Sequence, residues 1–188
     1  MNSKEKDVCY KSCNSYSTLN DLTENTKRIW FVCHGMGYLS RYFLKYFKGL
    51  NSSENYIIAP QAPSKYYQQP KMHVGANWLT RVGTAKDMEN IVHYFDALFK
   101  NEGLHQKDKE LIVLGYSQGV SVAMRYLAKR QIQCDTLIIH SGGIPAELQP
   151  KDFYYLKPST KVFLVYGTHD EYLTKERISK ELNKANAL

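Results

Sequence analysis

The sequence predicts a three-layer α/β/α sandwich around a mainly parallel sheet, with an antiparallel hairpin at its N-terminal edge. Three observations carry that prediction. Continuous apolar runs of strand length recur at 29–33, 56–59, 111–114, 136–139 and 161–166, as strands buried on both faces require. Most of the intervening segments repeat apolar residues every three to four positions, as helices covering a sheet do. Strand and helix alternate along the chain, which favours parallel crossovers.

Each element has its own local reason. Residues 7–13 alternate imperfectly and Asn14-Ser15 offers a turn into 16–19, so a short hairpin is expected there. The strand at 29–33 ends in His34-Gly35-Met36-Gly37, and a helix follows with Leu39, Tyr42, Phe43, Tyr46, Phe47 and Leu50 on one face. The next buried strand, 56–59, stops at Pro60-Gln61-Ala62-Pro63, because proline has no ladder N–H. Residues 64–80 read as a long irregular loop carrying Trp78, and loops of such length in a compact domain usually serve function. Thr84 opens a second helix, in which Met88, Ile91, Val92, Phe95, Leu98 and Phe99 share a face. The strand at 111–114 runs into Gly115-Tyr116-Ser117-Gln118-Gly119 and a helix to Arg130. The strand at 136–139 leads to His140-Ser141-Gly142-Gly143, and that at 161–166 to Gly167-Thr168-His169-Asp170; a last helix is expected over 174–185.

Composition excludes several function classes. A chain of 188 residues without internal repeats reads as one domain, 1–188. No apolar run approaches the roughly 20 residues that span a bilayer, so no integral membrane segment is expected. The charged N-terminus lacks the apolar core of a secretory signal, and a cytoplasmic location is expected. The four cysteines show no metal or redox spacing, and neither a metal nor another cofactor is expected. The net charge of +7 is spread along the chain, with no basic stripe interleaved with aromatics, so nucleic acid is not an expected partner.

In a parallel sheet the ligand site lies beyond the carboxyl ends of the strands. The 34–37 loop, the Pro60 loop, Ser117, the 141–143 glycine turn and Asp170 each follow a strand and should gather at that rim. A strand, a tight G-x-S-x-G turn and a helix place a serine at the apex of a strained turn, where flanking Cβ atoms would collide with neighbouring backbone. Acyl transfer by such a serine needs a base, an acid that orients the base, and amide donors for the oxyanion. Gln118 N–H, directly after Ser117, and an N–H of the 34–37 loop, best that of Met36, are the candidate donors. Asp170 is the best-placed acid. No histidine follows it; His73 and His140 are the candidate substitutes for a base, while His34 reads as structural support for its own loop. Trp78, Tyr66, Tyr67 and Met72 suggest an apolar acyl site, with core packing as the competing reading.

With these residues assembled, the chain resembles the α/β-hydrolase fold and, within it, the small carboxylesterase, phospholipase and acyl-protein thioesterase group. The matching stretches are 31–37, 59–63, Trp78, 115–119, 141–143 and 167–170. The resemblance implies Ser117 as nucleophile, Asp170 as acid and Trp78 bordering the acyl pocket, with Gly35 and Gly37 lining the site. In that group the catalytic histidine lies on a loop after one further strand, and a final helix follows. By that comparison the domain lacks its last strand, histidine loop and helix, and Glu171-Tyr172 stand where a proline and a small apolar residue are common. The expected function is hydrolysis of a small-molecule carboxylic ester or thioester with an apolar acyl group. The alternative is a non-catalytic acyl-binding or scaffold protein that has lost the base.

Overall fold

Apolar runs such as 29–33, 56–59 and 111–114 become strands whose faces meet covering layers, whereas the run at 161–165, expected to be buried on both faces, lies at the sheet edge with Phe163 and Val165 exposed. The computed structural model describes residues 3–104, 108–168 and 174–187. In chain order the strands are β1 (Tyr16–Leu19), β2 (Arg28–Cys33), β3 (Asn55–Pro60), β4 (Ser64–Gln68), β5 (His73–Asn77), β6 (Glu110–Tyr116), β7 (Thr136–His140) and β8 (Lys161–Val165). The helices are α1 (Ser40–Phe43), continued by a 3-10 turn at Leu44–Phe47, then α2 (Thr84–Asn101), α3 (Gln118–Arg130) and α4 (Lys175–Ala185). Six strands form one sheet in the order β1-β3-β2-β6-β7-β8, and β4 and β5 pair separately. All neighbours in the large sheet run parallel except β1, which is antiparallel to β3. The result is a three-layer α/β/α sandwich of α/β-hydrolase architecture.

The period-two alternation of strand side chains divides the apolar residues between two cores. Phe31, Val113 and Ile139 face α2 and α3, where Phe95, Phe99, Val122 and Tyr126 pack on them. Val32, Ile57 and Leu114 face the other way, toward Phe43, Leu44 and Phe47 of α1 and its 3-10 continuation. Fully burying each such side chain contributes about 1.5–3 kcal/mol. The parallel register, with Cys33 opposite Gly115, Tyr116 opposite His140 and His140 opposite Val165, brings the carboxyl ends of β2, β6, β7 and β8 to one rim.

Three local expectations are corrected. The antiparallel edge is present, but the partner of 16–19 is β3; residues 7–13 form no strand and are exposed. Long-range polar contacts decide this: Gln61 N–H donates to Ser15 O at 3.1 Å, and the hydroxyls of Tyr16 and Tyr56 both donate to the Glu102 carboxylate. The helix expected over 39–50 is one α turn tightened into 3-10, leaving Tyr42 and Tyr46 exposed beneath the cations of Arg41 and Lys45. The loop at 64–80 contains the β4–β5 hairpin, in which Tyr67 pairs with Val74, residue types suited to a pleated surface. Among the described residues no helix is long and apolar enough to cross a membrane, and no cluster of metal-ligating side chains occurs.

Candidate active site

Strand β6 delivers Ser117 and α3 begins at the next residue, so the chain reverses direction within one position. Ser117 takes φ +52° and ψ −118°, a conformation that costs a non-glycine residue about 1–3 kcal/mol. Neighbouring backbone enforces it: Ser117 N–H donates to His140 O at 2.8 Å, and Val120 N–H donates back to Ser117 O at 3.1 Å. The flanking glycines permit it. A Cβ on Gly115 would lie 2.6 Å from Val120 N, and one on Gly119 would lie 2.6 Å from the Cys33 carbonyl carbon and 2.7 Å from His34 O.

The 34–37 loop lies against this turn. A Cβ on Gly35 would come within 3.2 Å of Ser117 Cβ, so the loop backbone and the serine are in contact distance. Met36 is exposed and its N–H has no partner among the described residues; the Gln118 N–H, first in α3, has none either. Gly37, at φ +86°, donates its N–H to Ala76 O at 2.8 Å and accepts from Gln68 Nε2 at 2.7 Å, so it is taken up by the hairpin.

His34 is fully buried and spoken for. Ala62 N–H donates to its Nε2 at 3.1 Å, so the ring proton sits on Nδ1 and is donated to Gly35 O at 2.8 Å. Burial holds its pKa below the ordinary histidine value, against an opposing contribution from the Gly35 bond. A neutral ring with both nitrogens engaged supports the loop and is not a base for Ser117.

Strand, strained serine turn and helix, with the Met36 and Gln118 amides unpaired among the described residues, supply part of what acyl transfer requires; no described side chain supplies the base. The Phospholipase/Carboxylesterase family model matches residues 22–185. The chain belongs to the phospholipase/carboxylesterase family. No curated protein sequence matches it. Among solved structures, esterase PE8 is 22% identical, with TM-score 0.67 over 92% of this chain and 83% of its own. Zea mays acyl-protein thioesterase 2 is 15% identical, with TM-score 0.66 over 93% and 85% respectively. A phospholipase/carboxylesterase from Dyadobacter fermentans is 15% identical, with TM-score 0.59 over 96% and 100%. At these identities the likeness is one of fold.

Within that family frame, the remaining candidates fall as follows. Asp170 lies outside the described residues, as do His169, Glu171 and Tyr172. No described histidine hydrogen-bonds the Ser117 hydroxyl; His140 ends β7 with its ring 5.1 Å from that of Tyr116, and His73 is exposed on the hairpin. Trp78 does not reach the rim surface. It is 1% exposed, packs against Phe95 and His34, and donates its indole N–H to His34 O at 2.7 Å. Its indole lies against the start of the 34–37 loop, as the core-packing reading expects. A cleft of about 710 Å³ borders Tyr116, the residue before Ser117, and is lined by Tyr38, Phe43, Tyr46, Phe47 and His140, among others. Tyr38 donates or accepts a 3.2 Å hydroxyl bond with Tyr46, which with burial pushes the Tyr38 pKa up to about 12.

Sequence reasoning missed the Gln118 side chain altogether. Its Oε1 accepts from Trp78 N–H at 2.9 Å, and its Nε2 donates to Asn77 Oδ1 at 2.6 Å and Leu79 O at 2.7 Å. The available signal was chemical: a two-donor, one-acceptor amide directly after a motif serine, facing a loop with unpaired backbone.

Proposed function

We propose that the protein is a serine hydrolase that cleaves carboxylic esters or thioesters bearing an apolar acyl group. The observation that carries this reading is Ser117 at a strained strand-to-helix turn with the Met36 and Gln118 amides open beside it. Ser117 Oγ bonds to the acyl carbon and gives up its proton to a base. The carbonyl oxygen gains the displaced electron pair and is held by the two amides, each worth about 3 kcal/mol of transition-state stabilisation. The bond to the alcohol or thiol then breaks, the leaving group takes a proton, and water releases the acid from the acyl-enzyme by the reverse sequence. Asp170 is assigned as the acid that orients the base. The aromatic cleft bordering Tyr116 suits an apolar acyl chain.

A second reading is a non-catalytic acyl-binding protein, since among the described residues no histidine hydrogen-bonds the Ser117 hydroxyl and His34 is engaged elsewhere. A fluorophosphonate probe separates the two. The hydrolase reading expects covalent labelling that the Ser117→Ala variant abolishes. Absence of labelling in the parent protein, together with saturable binding of a fatty acid, would establish the binding reading in its place.

A further inference from the structure

We infer that Trp78 is a positioning residue that ties together the two amides of the oxyanion site; this rests on the reading of Ser117 as nucleophile. The tie runs through both of its N–H groups. The indole N–H donates to His34 O at 2.7 Å, and the backbone N–H donates to Gln118 Oε1 at 2.9 Å. One buried residue thus grips the loop that carries Met36 and the residue that follows the nucleophile.

On the loop side the grip is passed on by His34. The C=O and N–H of a trans peptide point in opposite directions. Gly35 O is held by His34 Nδ1–H at 2.8 Å and by Tyr38 N–H at 3.3 Å, so the Met36 N–H of the same peptide is turned away from the His34 ring. His34 keeps its place through the Ala62 bond to Nε2 at 3.1 Å and through Trp78, whose ring lies 5.0 Å from its own. On the elbow side, Gln118 closes a ring of contacts by donating to Asn77 and Leu79, the residues on either side of Trp78. Trp78 is 1% exposed and its indole bond is buried, so water does not compete for the grip on His34 O. An ordinary core tryptophan would need only its volume; this one uses both donors, on acceptors 44 and 40 residues away in sequence.

The test separates volume from donor. Trp78→Phe fills most of the space and removes the indole N–H. The inference expects the second-order rate of fluorophosphonate labelling at Ser117 to fall at least about tenfold, since misplacing a catalytic group by 1 Å costs about a hundredfold. A Trp78→Phe rate within twofold of the parent overturns the positioning role. A second measurement stands apart from chemistry and from the fate of that variant. Gln118→Leu, which keeps the backbone amide and removes the side-chain grip, should shift the Met36 amide resonance in a ¹H–¹⁵N spectrum. An unmoved Met36 resonance overturns the tie. If the parent is not labelled at all, the nucleophile reading fails, and the Met36 resonance alone decides whether the tie exists.

Discussion

Replacing Gly119 by alanine asks whether the close approach of α3 to the end of β2 builds the serine turn. The new Cβ would stand 2.6 Å from the Cys33 carbonyl carbon and 2.7 Å from His34 O, where ordinary contact begins at 3.4 Å. Both are backbone atoms at the end of a central strand, so no side chain can swing aside. The Cys33 carbonyl oxygen stands closer still, so either α3 or the 33–34 backbone must retreat by more than 0.8 Å. Overpacking of this kind costs about 1–3 kcal/mol, offset by up to about 1 kcal/mol of helix propensity gained on leaving glycine. A net loss of about 1–2 kcal/mol in a chain of this size lowers Tm by about 2–8 °C, measurable by circular dichroism. Because Gln118 N–H is the adjacent amide, labelling of Ser117 should fall far more than stability does, by about a hundredfold. Gly49→Ala is the control: nothing lies within 4 Å of its Cβ, and Tm should stay within about 1 °C. Equal Tm and equal labelling for the two variants would refute the reasoning.

His34→Gln should change how stability depends on pH. The folded pKa lies below the ordinary 6.5, so the unfolded chain binds the proton first. Stability is therefore whole above that value and falls as pH drops below it, by at most about 1.4 kcal/mol per unit until the folded ring itself protonates. Urea titrations of parent and variant should diverge in slope as pH falls below the ordinary histidine value, and parallel curves would reject the buried neutral ring. Glu102→Gln removes the charge that accepts the Tyr16 and Tyr56 hydroxyls, and should cost about 1 kcal/mol in urea unfolding. The Tyr16 hydroxyl, held above the ordinary tyrosine pKa chiefly by its bond to Glu102, should ionise at lower pH in that variant, as an ultraviolet titration would register.

The fold was legible wherever burial on two faces wrote a continuous apolar run, as at Phe31-Val32-Cys33 or Leu111-Ile112-Val113-Leu114, both buried in place. The α2 face was legible for the same reason, since Met88 through Phe99 needed only one periodicity. Misreadings came where two patterns of similar strength competed. Tyr42 and Tyr46 fit a helical face, yet their polar ends and the cations beside them favoured the surface. The partner of β1 was set by hydrogen bonds to Gln61 and Glu102, residues to which no local pattern points.

By itself the sequence determined the layered parallel architecture and the serine turn, because both follow from neighbours within a few positions: apolar runs, helical spacing, and glycines two residues either side of Ser117. Only the tertiary structure decided what Trp78 and Gln118 do. A tryptophan in a long loop reads equally well as core or as pocket wall. The choice depends on which acceptors lie within 3 Å of its two N–H groups, and those acceptors, His34 O and Gln118 Oε1, come from segments far apart along the chain. Distances between segments so far apart along the chain arise from sheet register and helix packing, and no spacing along the chain encodes them.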